Sequence, residues 1–449
     1  MAFKDNLIRA RGHLVFLTGL AAGLALVLWL EDLGEGSPVQ AAGMDTAMNA
    51  LADDPLAVLD TIEPLPLAIR GESSAEDLAH AAVAWRYFEN NTNPETGLAN
   101  SVNNYPSTTM WETGSYLVAV LSAERLGLID RNEAEGRLSA VLTSLQSLRL
   151  FDGMLPNKAY HARTLELVNY QNQPVDLGLG WSALDIARMV GALGLVSRNH
   201  PALAAEVETL VAAWSLDEMV EDGELIGMNI AGDTLRRDQE GRVGYEQYAA
   251  KAMMLFGFDT WRAYEVADNL MIQEVEGQPI PVDTRLHRNV TPAFVVSEPY
   301  LFDGLEFGFD ARSLRFASAI YRAQEARWAR TGILTAVSES HIDEPPYFTY
   351  SSVWGGGAPW AVMTFSGDRL DSRRTVATKA AFAWDALFGT DYTATLVAEI
   401  AELADPERGW PEGFYEGGEV NGSVTANTNA LVLAALSFKA TGPLMRSAE

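Results

Sequence analysis

The sequence has no cysteine and only six histidines among its 449 residues, and its 32 Lys and Arg are outnumbered by 60 Asp and Glu. Each scarcity removes a class of chemistry. Without cysteine there is no disulfide framework, no thiolate zinc site and no cysteine nucleophile. The two histidines nearest in sequence, His161 and His200, are 39 residues apart, and neither an HExxH pattern nor an Asp-rich calcium loop occurs, so no metal site and no cofactor is expected. A net charge of −28 argues against nucleic acid as a partner, because binding a polyanion requires Lys and Arg to displace its counterions. The absence of GxSxG and GxxxxGK speaks against an esterase or an ATPase. Gly178-Leu179-Gly180-Trp181-Ser182-Ala183 matches a loose dinucleotide pattern, but no βαβ unit surrounds it, and it reads as a tight loop entering a helix.

What is present is a globular composition, 48% hydrophobic and 20% charged. Leu14 to Leu30 is an uncharged run of 17 residues, preceded by Lys4, Arg9 and Arg11 and followed by Glu31, Asp32 and Glu35. That length and that charge order predict a transmembrane helix over 14–30 with its N-terminus inside, making 1–35 an anchor. The alternative is a cleaved signal peptide, with small residues at Val39-Gln40-Ala41. Either way the remainder is exported. The expected placement is single-pass in the inner membrane, with the C-terminal domain in the periplasm. Residues 36–73, rich in Ala, Asp, Pro and Gly, read as a linker.

From residue 74 the chain repeats. Gly127, Gly194, Gly257, Gly332 and Gly389 each stand at a break between two helical stretches, 57 to 75 residues apart. That period leaves room for two helices and one long loop per unit. The helix after the break carries one apolar stripe, as in Ala134, Leu138, Val141, Leu142 and Leu145; the helix before it is apolar nearly all round, as in Tyr116 to Leu121. Alternation of half-buried and fully buried helices is what two concentric rings require. With 74–90 and 426–440 closing the circle, the pattern predicts an all-α fold, an (α/α)6 toroid of about twelve helices over 74–449, its long loops gathered on one rim.

Those loops, near 91–110, 147–180, 216–244, 271–310, 339–371 and 405–425, hold an unusual share of Trp and Tyr among acids and amides. Indole and phenol faces stack on the C–H faces of sugars, so Trp111, Tyr245, Tyr300, Tyr350, Trp354, Trp410 and Tyr415 are the candidate substrate-binding residues. Glycosidic cleavage needs one carboxylic acid and one carboxylate. Glu298 in SEPYLFDGLEFG and Glu412 in GWPEGFYEGG rank first, being in loops beside Gly or Pro. Glu112 and Glu246 open helices, where the helix dipole alone favours an acid, and Asp303 completes the set.

Residues 75 to 440 resemble the bacterial family known as domain of unknown function 3131. The likeness is carried by TMWETGSYLVAVLSAERLGLID, VGYEQYAAKAM, SEPYLFDGLEFG, YFTYSSVWGGG and TANTNALVLAAL. That family is in turn similar to glucoamylase-like (α/α)6 enzymes acting on β-1,2-glucans. The resemblance implies the toroid and a glycan substrate and carries over no catalytic residue.

Three functions remain open on sequence. The first is a membrane-tethered periplasmic glycoside hydrolase or transglycosylase acting on a poly- or oligosaccharide. The second is a non-catalytic glycan-binding or scaffold protein working with exopolysaccharide machinery. The third is a polysaccharide lyase or sugar epimerase on the same fold, and for a lyase Arg285, His287 and Arg288 in one loop would neutralise a uronate.

Overall fold

The computed structural model describes residues 55–445, apart from 233 and 288–290. Twelve helices carry the fold. In chain order they are α1 (Ala75–Asn91), α2 (Met110–Arg125), α3 (Arg131–Ser147), α4 (Ala183–Asn199), α5 (Ala204–Ala212) and α6 (Tyr245–Met254). They continue with α7 (Trp261–Tyr264), α8 (Glu298–Phe302), α9 (Ala311–Thr331), α10 (Thr378–Phe388), α11 (Asp391–Ala401) and α12 (Ala426–Thr441). The even-numbered helices form a closed circle of neighbours: α2 packs on α4, α4 on α6, α6 on α8, α8 on α10, α10 on α12, and α12 returns to α2. Each odd-numbered helix lies outside one of them, α1 against α12, α3 against α2, and so on to α11 against α10.

Sequence explains which helix goes where. Helix α2 buries every residue from Thr113 to Ala123, and α12 every residue from Ala426 to Phe438, so neither has a face to give to water. Helix α3 buries Ala134, Leu138, Val141, Leu142 and Leu145 and leaves its Arg and Glu residues outside. Side-chain caps fix where the inner helices begin: Thr109, Ser182 and Thr425 accept from the backbone N–H of Glu112, Asp185 and Thr428.

The all-α class does not hold. Each of the six crossovers from an outer to the next inner helix carries short antiparallel strands, among them the hairpins Glu224–Ala231 with Thr234–Gln239 and Leu270–Val275 with Gln278–Asp283. The physical reason is that crossovers this long carry many backbone N–H and C=O groups, which must be paired where they are covered. The expected double ring of about twelve helices is corrected in its outer layer too, where α7 is a single turn of four residues. Two of the five glycine breaks also fall elsewhere. Gly194 lies inside α4, and Gly332 ends the outer helix α9.

The crossovers also join one another around the ring. Ser107–Thr108 pairs with Tyr160–His161, Met228 N donates to Trp181 O at 2.9 Å, and Val243 N donates to the Asp283 carboxylate at 2.9 Å. Val295 N donates to Trp354 O at 2.7 Å, Thr375–Ala377 pairs with Gly413–Tyr415, and Asn103 N donates to Val424 O at 2.9 Å. Six seams therefore run round the end of the ring where the inner helices start.

Residues 55–73 pack along the ring, burying Leu59 and Ile62, with Ala68 N donating to Leu387 O at 2.8 Å and Gly71 N to Lys439 O at 3.0 Å. The placement in the inner membrane, with a periplasmic domain, is corrected on one finding. Among the described residues no helix is long and apolar enough to cross a membrane, and the run 14–30 on which the placement rested lies outside them.

Candidate active site

All six inner helices begin at the same end, and each contributes a polar side chain there from its first turn: Glu112, Asp185, Glu246, Glu298, Lys379 and Asn427. The N-termini of the longer helices bring unpaired N–H groups and the positive ends of their dipoles to one place, which favours carboxylates. Over this end opens a cleft of about 520 Å³. It is lined by the acids Glu112, Asp185, Asp238, Glu240 and Glu339, the cations Lys158, Arg236, Arg242 and Arg285, and a set of aromatic rings.

Asp185 and Glu240 form a pair around one hydroxyl. Ser182 Oγ lies 2.8 Å from Glu240 Oε1 and 3.0 Å from Asp185 Oδ1, and it can donate to only one of them. Glu240 has the better claim to the charge, because its Oε2 accepts from Ala183 N at 2.6 Å and Lys158 lies beside it. Asp185 is left to hold a proton. Burial, then the charges of Glu240 and Glu112, push its carboxyl up to about 8. Burial raises Glu240 as well, with Lys158, Ser182 and Ala183 N working the other way, so of the two adjacent acids Asp185 is the one placed to carry a proton near neutral pH.

Glu339 makes a second such arrangement. It accepts from Tyr245 Oη, and burial together with the neighbouring charge of Glu298 holds it well above the usual carboxylate range. Glu112 accepts from Thr109 Oγ1. The aromatic lining includes Trp111, edge-on to Tyr245 at 5.7 Å between ring centres, and Tyr350, stacked on Phe294 at 3.9 Å. Tyr170 and Phe365 are more than half and half exposed, at 58% and 50%.

The structure divides the sequence candidates. Glu112, Trp111, Tyr245 and Tyr350 line the cleft. The two acids ranked first do not. Glu298 is fully buried beneath it, in the first turn of α8 and not in a loop, ion-paired with Lys379 and accepting from Asn427 Nδ2 at 2.7 Å. Glu412, on the strand Pro411–Tyr415, is equally buried and accepts from the hydroxyls of Thr425 and Thr428. Both share the charge of Lys379, and Glu298 also raises Glu339. Glu246 is buried against Arg285 and Gln239, and burial pushes it up to about 7. Asp303 is committed to Lys251, with both oxygens at 2.7 Å.

Four aromatics lie away from the cleft. Trp410 is fully buried, donating to His80 O at 3.0 Å. Tyr415 donates to Asp343 at 2.8 Å, Tyr300 is buried beside Phe316, and Trp354 pairs with Pro359 in a small hairpin. They pack between crossovers and helices. Of the basic loop, Arg285 reaches the cleft while bound to Asp283 and Glu246, and Arg288 lies outside the described residues.

Sequence reasoning missed Asp185, Glu240 and Glu339. Asp185 stands three residues after Ser182, a spacing that reads as a helix cap. Glu339 faces Tyr350 across a strand pair that was read as loop.

Solved structures share this fold at low identity. A Bacteroides caccae protein provisionally assigned as a glucoamylase matches with a TM-score of 0.60 at 13% identity, over 87% of this chain and 94% of that one. The endo-β-1,2-glucanase of Chitinophaga pinensis, in complex with sophorotriose and glucose, matches with a TM-score of 0.59 at 12% identity, over 83% and 94%. The endo-β-1,2-glucanase of Talaromyces funiculosus, in complex with sophorose, gives 0.55 at 12% identity, over 83% and 85%. No curated protein matches the sequence. One family model does, over residues 79–442, and that span of the chain shows that it belongs to the family described as protein of unknown function (DUF3131).

Proposed function

We propose that the ring domain, taken as residues 74–449, is a glycoside hydrolase that binds a glucan in the cleft and cleaves it by acid–base catalysis. The observation that carries this reading is the pair of adjacent acids, Asp185 and Glu240, meeting at the Ser182 hydroxyl in a cleft lined by aromatic rings, with the Asp185 carboxyl pushed up to about 8. Asp185 protonates the leaving glycosidic oxygen. Its carboxyl, tuned near neutral pH, is well matched to that task, and the resulting anion is stabilised by the N-terminus of α4. Glu240 keeps Asp185 protonated and is itself held by Ala183 N, so it does not attack. Glu112, with one oxygen on Thr109, supplies the second carboxylate. Trp111, Tyr245 and the Tyr350–Phe294 stack hold the sugar rings.

The fold shared with two endo-β-1,2-glucanases makes β-1,2-glucan the first substrate to try. The test is incubation with a panel of glucans, measuring new reducing ends and, separately, unsaturated products. New reducing ends, lost in Asp185→Asn and in Glu112→Gln variants that still fold, are the expected result. Binding without cleavage of any glycan would replace the hydrolase with a glycan-binding protein. Unsaturated products would replace it with a lyase.

A further inference from the structure

The chain carries almost two acids for every base, yet the cleft gathers four bases against five acids. Burial and neighbouring charge push Asp185 up to about 8 and hold Glu339 well above the usual carboxylate range, so both weigh less against those bases than their number suggests. Three of the bases are engaged by neighbours of the site. Arg285 is bound by Asp283 and Glu246, Arg236 by Asp238 at 2.7 Å, and Lys158 lies beside Glu240.

Arg242 differs. Its guanidinium donates only to neutral acceptors: Leu286 O at 2.6 and 3.1 Å, Gln239 Oε1 at 2.8 Å and Gly241 O. Among the described residues no carboxylate lies within ion-pair distance of it. Those contacts use four of its five N–H groups, leaving one donor on Nη2. Burial and the adjacent charge of Arg285 weigh against its positive form and outweigh the carboxylates of Asp283, Glu246 and Glu240, none of which touches it. A half-buried arginine on the wall of a cleft, with a spare N–H and no carboxylate in direct contact, is suited to holding a carboxylate or phosphate group.

We infer that the glycan taken by this cleft is anionic, and that Arg242, with Arg285 behind it, binds a carboxylate or phosphate group carried on a sugar. The inference rests on the reading of the cleft as a glycan site and adds the charge class of the substrate. It does not depend on cleavage.

The experiment measures binding to the full chain carrying Asp185→Asn, so that ligand is not consumed. Three probes share one backbone: unsubstituted β-1,2-glucooligosaccharides, the same chains oxidised to the carboxylate at C6, and the same chains phosphorylated at C6. One of the anionic forms should bind at least about tenfold more tightly than the neutral one at low salt, with the advantage shrinking as salt is added. The anionic form that gains more identifies the oxyanion. Adding Arg242→Gln should erase the advantage, and Arg242→Lys, which keeps the charge, should retain part of it. Equal affinities, including equally absent binding, overturn the inference, as does an advantage that survives Arg242→Gln. Preferential binding by a wild-type chain that cleaves nothing would remove the hydrolase reading and leave this one standing.

Discussion

The buried pair beneath the cleft offers the sharpest quantitative test. Lys379 and Glu298 are ion-paired with side chains 3% and 0% exposed, and Glu412 and Glu339 share the same cation. Replacing Lys379 by Met removes the only positive charge among these groups and leaves carboxylates without compensation in a space closed to water. Breaking a buried pair in this way costs about 3–5 kcal/mol, whereas replacing both partners by neutral groups costs much less. For a domain of about 390 ordered residues, an unfolding entropy of about 2.1 cal/mol/K per residue makes each kcal/mol worth roughly 1.2 °C. Lys379→Met should therefore melt about 4–6 °C below wild type. The double variant Glu298→Gln/Lys379→Met should recover at least about half of that loss. Thermal melting followed by circular dichroism reads both, and the double variant remains informative if the single one does not accumulate. A Lys379→Met protein melting within about one degree of wild type would refute the reasoning, because the charges would then be solvated or already neutral.

Three further outcomes follow from the geometry. Asp185→Asn should lower kcat on a cleaved glucan by about 10²–10⁴-fold, and the wild-type rate should fall as pH rises through about 8, where Asp185 loses its proton. A rate that holds constant to well above that pH would remove Asp185 as the donor. The same group makes stability depend on pH. Its folded pKa lies above the unfolded value, so the folded state binds more protons between about 4 and 8 and stability falls as pH rises through that window. In denaturant titrations Asp185→Asn should show a shallower fall than wild type; an unchanged slope would mean that the proton sits elsewhere. Gly180→Ala should destabilise the entry to α4 by at least about 1–3 kcal/mol, since φ is +98° and a Cβ there would stand 2.0 Å from Met228 O. A variant as stable as wild type in urea would contradict that contact.

How much was legible in the chain depends on what each residue has to satisfy. The inner and outer helices could be told apart because burial on all sides and burial on one side leave different patterns, as Tyr116–Leu121 and Ala134–Leu145 do. The strands were legible and went unread. Asp222-Gly223 and Glu276-Gly277 both have positive φ at two successive residues, the turn that closes a tight hairpin, and each joins two segments that pair as antiparallel strands. In the site, Trp111 was found as an aromatic at the end of a long loop and Glu112 as an acid opening a helix. Glu298 and Glu412 were overrated because Gly and Pro nearby say that the backbone turns, not that the side chain meets water. Trp410 and Tyr300 show the same for aromatics, which roof the core under the crossovers as readily as they face a ligand. Asp185 and Glu240 owe their chemistry to each other's proximity, and the 54 residues between them in sequence hide it.

The six seams at the mouth have a consequence for how such a protein changes over time. Each crossover is tied to its two neighbours by a few hydrogen bonds, so its outer turns can be lengthened, shortened or exchanged while the girdle below keeps its packing. Selectivity is thereby free to drift segment by segment, and relatives that have lost nearly all resemblance in sequence can still be superimposed helix on helix.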